Sequence, residues 1–288
     1  MKRLIVILLL IAGVLESRAQ SHQWANNITS SSKTYPEPRS LTIDSNNNIY
    51  QTIRFSDTLN LNGSLLIPKP NSSSWCITKL NKNGKYLWTT IIYANTKNQG
   101  AVSIANIHSI NNNKIAICGS FTAPILKIGL TDSIINNKVT TGFVAILDSS
   151  GKFIEYQKIY ENTSGSEILK FITDKSGNYY INFITSKDTG SIFYRGGALK
   201  IKADTSPWRY IIVKYNSNFT NINWYKELPT TTPINVSRSF EIHNMQIGKD
   251  NNLYLACDLC AAYKLVLAIL LLLIIITNFK LAMPKGKV

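Results

Sequence analysis

The sequence predicts an all-β fold: a β-propeller-like array of four-stranded repeats, about 3.5 blades, between an N-terminal signal peptide and a C-terminal transmembrane helix. Two types of β-hairpin alternate along the chain; the first returns at steps of 66, 64 and 74 residues and the second at steps of 68. Within the hairpins apolar and polar residues alternate with a period of two, and no helical period competes with it before residue 260. This self-similarity indicates repeated modules that stack on one another.

The first hairpin type consists of an apolar strand, a turn of Asp, Asn, Ser or Gly, and a second strand. Its copies are "SLTIDSNNNIYQTIRF" from Ser40, "ANIHSINNNKIAICGSF" from Ala105, "LKFITDKSGNYYINFI" from Leu169 and "MQIGKDNNLYLAC" from Met245. The first apolar residues after the four turns follow one another at similar steps along the chain, and they are Ile49, Ile115, Tyr179 and Leu253. The spacing predicts one such hairpin per repeat.

The second hairpin type also has two strands and a tight polar turn. Its copies are "SWCITKLNKNGKYLWTTI" from Ser74, "GFVAILDSSGKFIEYQKI" from Gly142 and "RYIIVKYNSNFTNINWYKEL" from Arg209. An aromatic residue closes each copy, and equal steps along the chain separate these residues, namely Trp88, Tyr156 and Trp224. Trp24 precedes Trp88 by a similar step, so the mature chain is expected to open on the final strand of a further unit. These four aromatic residues are predicted to be structural marks of the repeat.

Two hairpins per period predict four strands per unit, with units near 40–92, 101–160 and 166–228 and a partial unit near 239–258. One unit cannot cover its own apolar face, so neighbouring units must stack. Four-stranded units with a regular aromatic mark are typical of β-propeller blades. A β-sandwich whose regularity is coincidental is the alternative.

Four short segments carry a family resemblance: "IDSNNNIY" and "TDKSGNYYINF" in the first hairpins, and "WCITKLNKNGKYLW" and "FVAILDSSGKFI" in the second. In these segments the chain resembles the secreted bacterial β-propeller repeat proteins of the SBBP type, over about residues 24–259. The resemblance implies a propeller fold and gives almost no information about activity. The chain departs from the family in its long period and in Asn47, where the family has a turn glycine.

The ends of the repeat array leave two arrangements open. The trailing hairpin and the leading strand near Trp24 can combine as a fourth, incomplete blade that closes the ring. An open or truncated array is the alternative, and its exposed strand edges would favour self-association.

The N-terminus has the pattern of a secretory signal peptide, predicted over residues 1–19. Lys2 and Arg3 precede an apolar stretch, and Ala19 ends the segment with a small residue. An uncleaved membrane anchor is the alternative. Cleavage would leave a repeat domain over residues 20–259, outside the cytoplasm.

Residues 260–280 are predicted to form a transmembrane helix, followed by a short basic cytoplasmic tail at 281–288. Leu265–Ile276 contains no polar residue, and Lys280, Lys285 and Lys287 follow it. Signal peptide and trailing lysines both place the repeat domain outside, with membrane lipid as the partner of the segment. A buried core helix, a C-terminal strand pair, a lipid-anchor signal and a segment joined on by truncation are the alternatives.

The sequence offers no candidate catalytic, cofactor-binding or metal-binding residue. The histidines His22, His108 and His243 are scattered, and the carboxylates Asp44, Asp148, Asp174 and Asp250 fall at hairpin turns, where such side chains bond the backbone. Of the four cysteines, Cys76 and Cys118 are expected to be buried thiols, and the Cys257–Cys260 pair to be structural or a local disulfide. The chain carries 31 Lys and Arg against 16 Asp and Glu, without a dense basic cluster that would indicate nucleic-acid binding.

These observations predict a non-catalytic, exported and membrane-tethered repeat protein that acts in binding or surface display, with a protein or polysaccharide ligand of unknown identity. The alternatives are an exported glycan-active enzyme that uses the propeller face, and a truncated, non-functional fragment of a longer repeat protein. An enzyme would need carboxylates or histidines that converge on one mouth of the propeller.

Overall fold

Every regular element that the structure describes is a β-strand. The computed structural model describes residues 24–31, 35–69, 74–95, 101–110, 113–129, 132–136, 140–162, 165–186, 190–202, 208–228, 240–259 and 272–276. The predicted signal peptide at 1–19 and the predicted tail at 281–288 lie outside these residues. The all-β class predicted from the sequence is confirmed.

The described residues form 22 strands, numbered β1 to β22 in chain order. The first half contains β1 Ile28–Ser30, β2 Glu37–Ile43, β3 Ile49–Phe55, β4 Leu59–Leu61, β5 Ser64–Leu66, β6 Ser74–Leu80, β7 Tyr86–Asn95, β8 Val102–Ile110, β9 Lys114–Phe121, β10 Ile125–Ile128 and β11 Asp132–Ile135. The second half contains β12 Thr140–Leu147, β13 Phe153–Asn162, β14 Ser166–Thr173, β15 Tyr179–Ser186, β16 Gly190–Tyr194, β17 Gly197–Ile201, β18 Trp208–Tyr215, β19 Ile222–Leu228, β20 Phe240–Ile247, β21 Leu253–Leu259 and β22 Leu272–Ile276.

Three antiparallel meanders of four strands correspond to the three whole units. They are β2-β3-β6-β7, β8-β9-β12-β13 and β14-β15-β18-β19, and we call them blades 1, 2 and 3. The hairpin β20–β21, with β22 beside it, forms a further sheet after blade 3. The turns after the first and third strands of each blade lie at one end of its sheet, which we call the turn face; the opposite end is the linker face.

Each unit also contains a short hairpin between its second and third strands that the sequence did not predict. This hairpin joins the sheet of the preceding unit: β10–β11 pairs with β7 of blade 1, and β16–β17 pairs with β13 of blade 2. In the same way β4–β5 pairs with β1, the short strand that follows Trp24. A period therefore holds six strands, and the prediction of four strands per unit is corrected.

Apolar side chains fill the spaces between successive sheets. Four buried clusters lie between five sheets: one between sheet β1-β4-β5 and blade 1, one between blades 1 and 2, one between blades 2 and 3, and one between blade 3 and the β20–β22 sheet. The first strands β2, β8, β14 and β20 contact one another in succession. This stacking of small twisted sheets is compatible with a β-propeller-like fold.

The predicted transmembrane segment 260–280 lies mostly outside the described residues. The exception is Leu272–Ile276, which forms strand β22 and pairs antiparallel with β21, from Cys257 opposite Leu272 to Leu253 opposite Ile276. These five residues therefore form a strand, as in the alternative of a C-terminal strand pair, and not part of the predicted helix. Among the residues described, no helix has the length and apolar character needed to cross a bilayer.

Candidate functional site

The acidic residues of the first hairpins are fixed by their own turns. Asp44 Oδ1 accepts hydrogen bonds from the backbone N–H groups of Asn46 and Asn48, at 2.9 and 2.8 Å. Asp44 Oδ2 accepts from Asn48 Nδ2 at 2.9 Å and from the hydroxyl of Tyr50 at 3.0 Å. Burial alone would raise the pKa of Asp44, but these hydrogen bonds outweigh burial and lower it.

The third unit repeats this arrangement, and the fourth modifies it. Asp174 accepts from Asn178 Nδ2 at 2.9 Å and from the Tyr180 hydroxyl at 3.3 Å. In the fourth unit Gly248 holds the turn position of Asp44, yet Asp250 accepts from the Tyr254 hydroxyl at 2.7 Å. Within the described ranges, no group of three or more His, Cys, Asp or Glu side chains is placed to hold a metal ion. These carboxylates serve their turns.

Blades 1 and 3 share an aromatic cluster behind these turns. In blade 1 Lys79 Nζ lies 5.1 Å from the ring centroid of Tyr50, and the centroids of Tyr50 and Trp88 are 6.0 Å apart. In blade 3 the Tyr180 centroid lies 4.8 Å from Lys214 Nζ and 5.9 Å from the Trp224 centroid. We call the Asp, Tyr, Lys and Trp positions of a blade its aromatic cluster.

Blade 2 lacks the aromatic cluster at every position. Strand registers place Ala116 opposite Ile146, where blade 1 has Tyr50 opposite Lys79. On the next strand of blade 2, β13, the residue opposite Ile146 is Glu155. At the equivalent position of blade 1, the residue opposite Lys79 is Trp88. The register therefore differs from the sequence spacing, which had aligned Tyr156 with Trp88 and Trp224. Tyr156 lies one residue further on and is 40% exposed.

Trp24 and Trp88 each lock one sheet to the turn of the next. The Trp88 indole N–H donates to the Ser149 carbonyl at 2.9 Å, and Thr90 Oγ1 donates to the Gly151 carbonyl at 2.8 Å. Trp24 donates likewise to the Lys82 carbonyl at 3.0 Å. Trp224 packs against the cluster between blade 3 and the β20–β22 sheet.

The remaining candidate side chains that the structure describes are buried or half-buried in the framework. His108 Nε2 lies 3.1 Å from Thr173 Oγ1, and burial lowers the pKa of His108. Cys76 and Cys118 are buried free thiols, as predicted, and burial raises the pKa of Cys76 to about 12. His22, Cys260 and the side chains of His243 and Cys257 lie outside the described residues.

A cleft of about 460 Å³ opens at the linker face, where the first strands of blades 1, 2 and 3 begin. We call it the mouth cleft. Its apolar wall includes the buried ring of Trp75, whose indole N–H donates to the Val102 carbonyl at 3.0 Å. The charged side chains that line it are Arg39, Arg54 and Glu167.

Ion pairs and hydrogen bonds order the polar rim of the mouth cleft. Glu37 lies 2.5 Å from an Arg39 guanidinium nitrogen and 3.7 Å from one of Arg54. The side chains of Arg39 and Arg54 keep exposures of 53% and 46%, so both guanidinium groups also face solvent. Ser103 Oγ donates to Glu167 Oε1 at 3.2 Å. The rim thus places two half-exposed cations around one shared carboxylate, Glu37, with Glu167 as a second carboxylate, beside an apolar wall.

Sequence reasoning missed the mouth cleft. Its charged residues come from β2, β3 and β14, in two units far apart in the chain, and no local motif links them. Arg54 alternates with buried residues along β3, a pattern that predicts exposure and nothing about a shared cleft.

No protein-family model matches the chain, and no curated protein matches it. Among solved structures, a protein of unknown function from Bacteroides caccae aligns with a TM-score of 0.38 and 10% identity, over 77% of this chain and 70% of that one. A catalytically inactive virginiamycin B lyase from Staphylococcus aureus, with quinupristin, aligns with a TM-score of 0.32 and 10% identity, over 87% of both chains. Selenomethionine-substituted virginiamycin B lyase from Staphylococcus aureus gives a TM-score of 0.25 and 11% identity, over 80% of this chain and 95% of that one.

Proposed function

We propose that the chain is an exported, membrane-tethered β-propeller that binds an acidic ligand in the mouth cleft without catalysing a reaction. The observation that carries this proposal is the pair Arg39 and Arg54, half exposed beside the apolar wall of a cleft of about 460 Å³. Guanidinium groups bind carboxylate and sulfate groups through paired hydrogen bonds, which favours an acidic saccharide or peptide.

The order of the rim supports binding. Glu37 holds both arginines, and Ser103 holds Glu167, so the side chains that would meet a ligand are already positioned. Positioned groups lose less conformational entropy when a ligand arrives. The full sequence has a net charge of +15, of which the predicted signal peptide accounts for +2, and the remaining excess of cations adds a long-range attraction for anions.

The sheet order and the sequence repeats support the propeller, and the terminal segments of the sequence support the location. Successive four-stranded meanders and the resemblance to SBBP repeats favour a propeller. The signal-peptide pattern at 1–19 favours export, and the apolar run Leu265–Ile276 with the lysines after it favours a tether with the repeats outside.

Retention on a charged matrix tests the ligand class. The purified full-length chain is passed over polygalacturonate and over neutral dextran, and we expect retention on the first alone. The Arg39→Ala/Arg54→Ala variant should lose retention. Lys82→Ala/Lys152→Ala removes two exposed charges from the turn face and should be retained as the wild type is. Equal loss in both variants would reduce the effect to net charge and contradict the proposal.

Fractionation tests the location separately. We expect the full-length chain in the membrane fraction of a bacterial host, with its repeats cleaved by protease added outside spheroplasts. Release into the soluble fraction without detergent would contradict the tether and would agree with Leu272–Ile276 as a strand of the β20–β22 sheet.

A further inference from the structure

We propose that a second cleft, on the turn face between blades 2 and 3, binds a single neutral sugar ring. The cleft has a volume of about 260 Å³. It is lined by Ile110, Lys114, Ile146, Glu155, Tyr179 and Ser217, among others. We call it the turn cleft; it shares no lining residue with the mouth cleft.

The turn cleft exists because blade 2 lacks the aromatic cluster. Ile110 stands at the position of Asp44, Ala116 at that of Tyr50, and Ile146 at that of Lys79. Glu155 stands where blade 1 has Trp88. In blade 1 the Trp88 ring covers the turn at Gly151, so closely that a Cβ there would lie 2.6 Å from it. In blade 2 a shorter, charged side chain leaves that volume open toward blade 3.

The side of the turn cleft on blade 3 is rigid. The Tyr179 ring stacks on Phe219, with centroids 4.2 Å apart and planes at 11°, and on Phe171 at 5.5 Å. Thr173 Oγ1, in a residue that also lines the cleft, is 3.1 Å from Nε2 of the half-buried imidazole of His108. The buried rings of Phe171 and Phe219 and the half-buried His108 thus hold the wall in one arrangement, which limits the entropy lost on binding.

The polar groups of the turn cleft match a polyhydroxylated ring. Lys114 supplies N–H donors, Glu155 supplies carboxylate acceptors, and Ser217 supplies a hydroxyl that does both. Glu155 also pairs with Arg195, which fixes the carboxylate at the rim. Ile110 and Ile146 add an apolar floor. A pyranose ring combines an apolar C–H face with hydroxyls that both donate and accept, so it satisfies all of these groups at once.

Size and charge narrow the ligand further. Pockets for drug-sized ligands begin at about 300 Å³, so a cleft of about 260 Å³ suits one ring rather than an oligosaccharide. Lys114 and Glu155 line the cleft, and Arg195 pairs with Glu155 at the rim. The Glu155 carboxylate would repel the carboxylate of a uronic acid, which favours a neutral sugar.

Titration calorimetry of the full-length chain in detergent micelles tests this. The ligands are the methyl glycosides of glucose, galactose, mannose and N-acetylglucosamine, with glycine as a zwitterionic comparison. We expect at least one glycoside to bind and glycine not to bind. Glu155→Trp restores the residue that fills the equivalent position in blades 1 and 3 and should abolish binding.

Tyr156→Trp is the matched control, because neighbouring strand residues point to opposite faces; it should bind as the wild type does. If Glu155→Trp fails to fold, Glu155→Gln keeps the shape and should weaken binding about tenfold, the loss typical of one charged hydrogen bond. Absence of binding by every glycoside, undiminished binding by the Glu155 variants, or binding of glycine instead would overturn the proposal. Arg39→Ala/Arg54→Ala should leave glycoside binding unchanged, which separates this result from the mouth cleft.

Discussion

At the residue scale, the turns of the first hairpins in different units keep a hydrogen bond from a tyrosine hydroxyl to an aspartate, although the position of the aspartate in the turn changes. Asp44 and Asp174 accept from a tyrosine six positions on, whereas Asp250 reaches Tyr254 from another position of its turn. The residue with positive φ is Asn47 in the first copy, Gly177 in the third and Asn251 in the fourth. Asn and Gly are the residues that tolerate this conformation, so the loss of the turn glycine does not disturb the hairpin.

The carboxylates of these turns predict a loss of stability in acid. The folded pKa values of Asp44 and Asp174 lie below the ordinary value of 3.8. Their stabilisation is therefore complete above that value and is lost as pH falls through the folded pKa. In urea melts between about pH 5 and pH 2, the wild type should lose more free energy of unfolding than Asp44→Asn/Asp174→Asn. Parallel curves for the two proteins would contradict this assignment.

Alanine substitutions at two glycines should distinguish the cost of backbone strain from the cost of a steric contact. Gly151 and Gly63 have φ of +81° and +95°, but only at Gly151 does an added Cβ meet the Trp88 ring. Gly63→Ala should destabilise by about 1 kcal/mol through its left-handed backbone. Gly151→Ala should destabilise by about 2–4 kcal/mol, because overpacking adds to that strain. Equal denaturation midpoints for the two variants would contradict the contact with Trp88.

At the element scale, the main hairpins are predictable and the inserted hairpins are not. Strands such as β9 and β12 are long and apolar, and Asp, Asn and Gly mark the turns between strands. The strands β4, β5, β10 and β11 have only three or four residues each, too few to show a period. Of these strands, β4 and β10 also pair with a strand of the preceding unit, and pairing over that distance leaves no local pattern in the sequence.

The sequence spacing also assigned the wrong residue of β13 to the position of Trp88 and Trp224, because turn lengths differ between units. The third turn closes from Asn216 to Asn221, one residue longer than the turn from Asn81 to Lys85. The equal steps along the chain therefore point to Tyr156, whereas hydrogen-bonded pairing points to Glu155. The turn cleft depends on this single-residue difference, so it could not be predicted from the spacing.

The inserted hairpin β10–β11 should stabilise the interface between blades 1 and 2. Leu126 is fully buried in that interface, whereas Ile135 on the same hairpin is 64% exposed. Leu126→Ala should lower the free energy of unfolding by about 2–5 kcal/mol. Ile135→Ala should change it by less than about 0.5 kcal/mol. A small effect of Leu126→Ala in chemical denaturation would show that the hairpin is not part of the cooperative core.

At the scale of the whole molecule, stability is a sum over neighbouring sheets. Each cluster joins two successive sheets, and the cluster against β1-β4-β5 is formed with a sheet of three strands of three residues each. Arrays with contacts between neighbours open first where the interface is smallest. The edge at β1-β4-β5 should therefore open before the interface between blades 2 and 3.

Two buried thiols report on this order. Cys76 lies in the cluster against β1-β4-β5, and Cys118 lies between blades 2 and 3. In a Cys257→Ser/Cys260→Ser background, a thiol reagent should label neither residue in the native protein. With rising urea, Cys76 should be labelled at a lower concentration than Cys118, as peptide mass spectrometry would show. Simultaneous labelling would contradict opening from the edge.

The backward pairing of the inserted hairpins bears on how such a chain changes in length. Blade 1 receives a hairpin from the second unit at β7, and blade 2 receives one from the third unit at β13. Duplication or loss of one full period would add or remove one giver and one receiver together. Gene copies of this segment can thus multiply or disappear in evolution while every junction between units keeps its form.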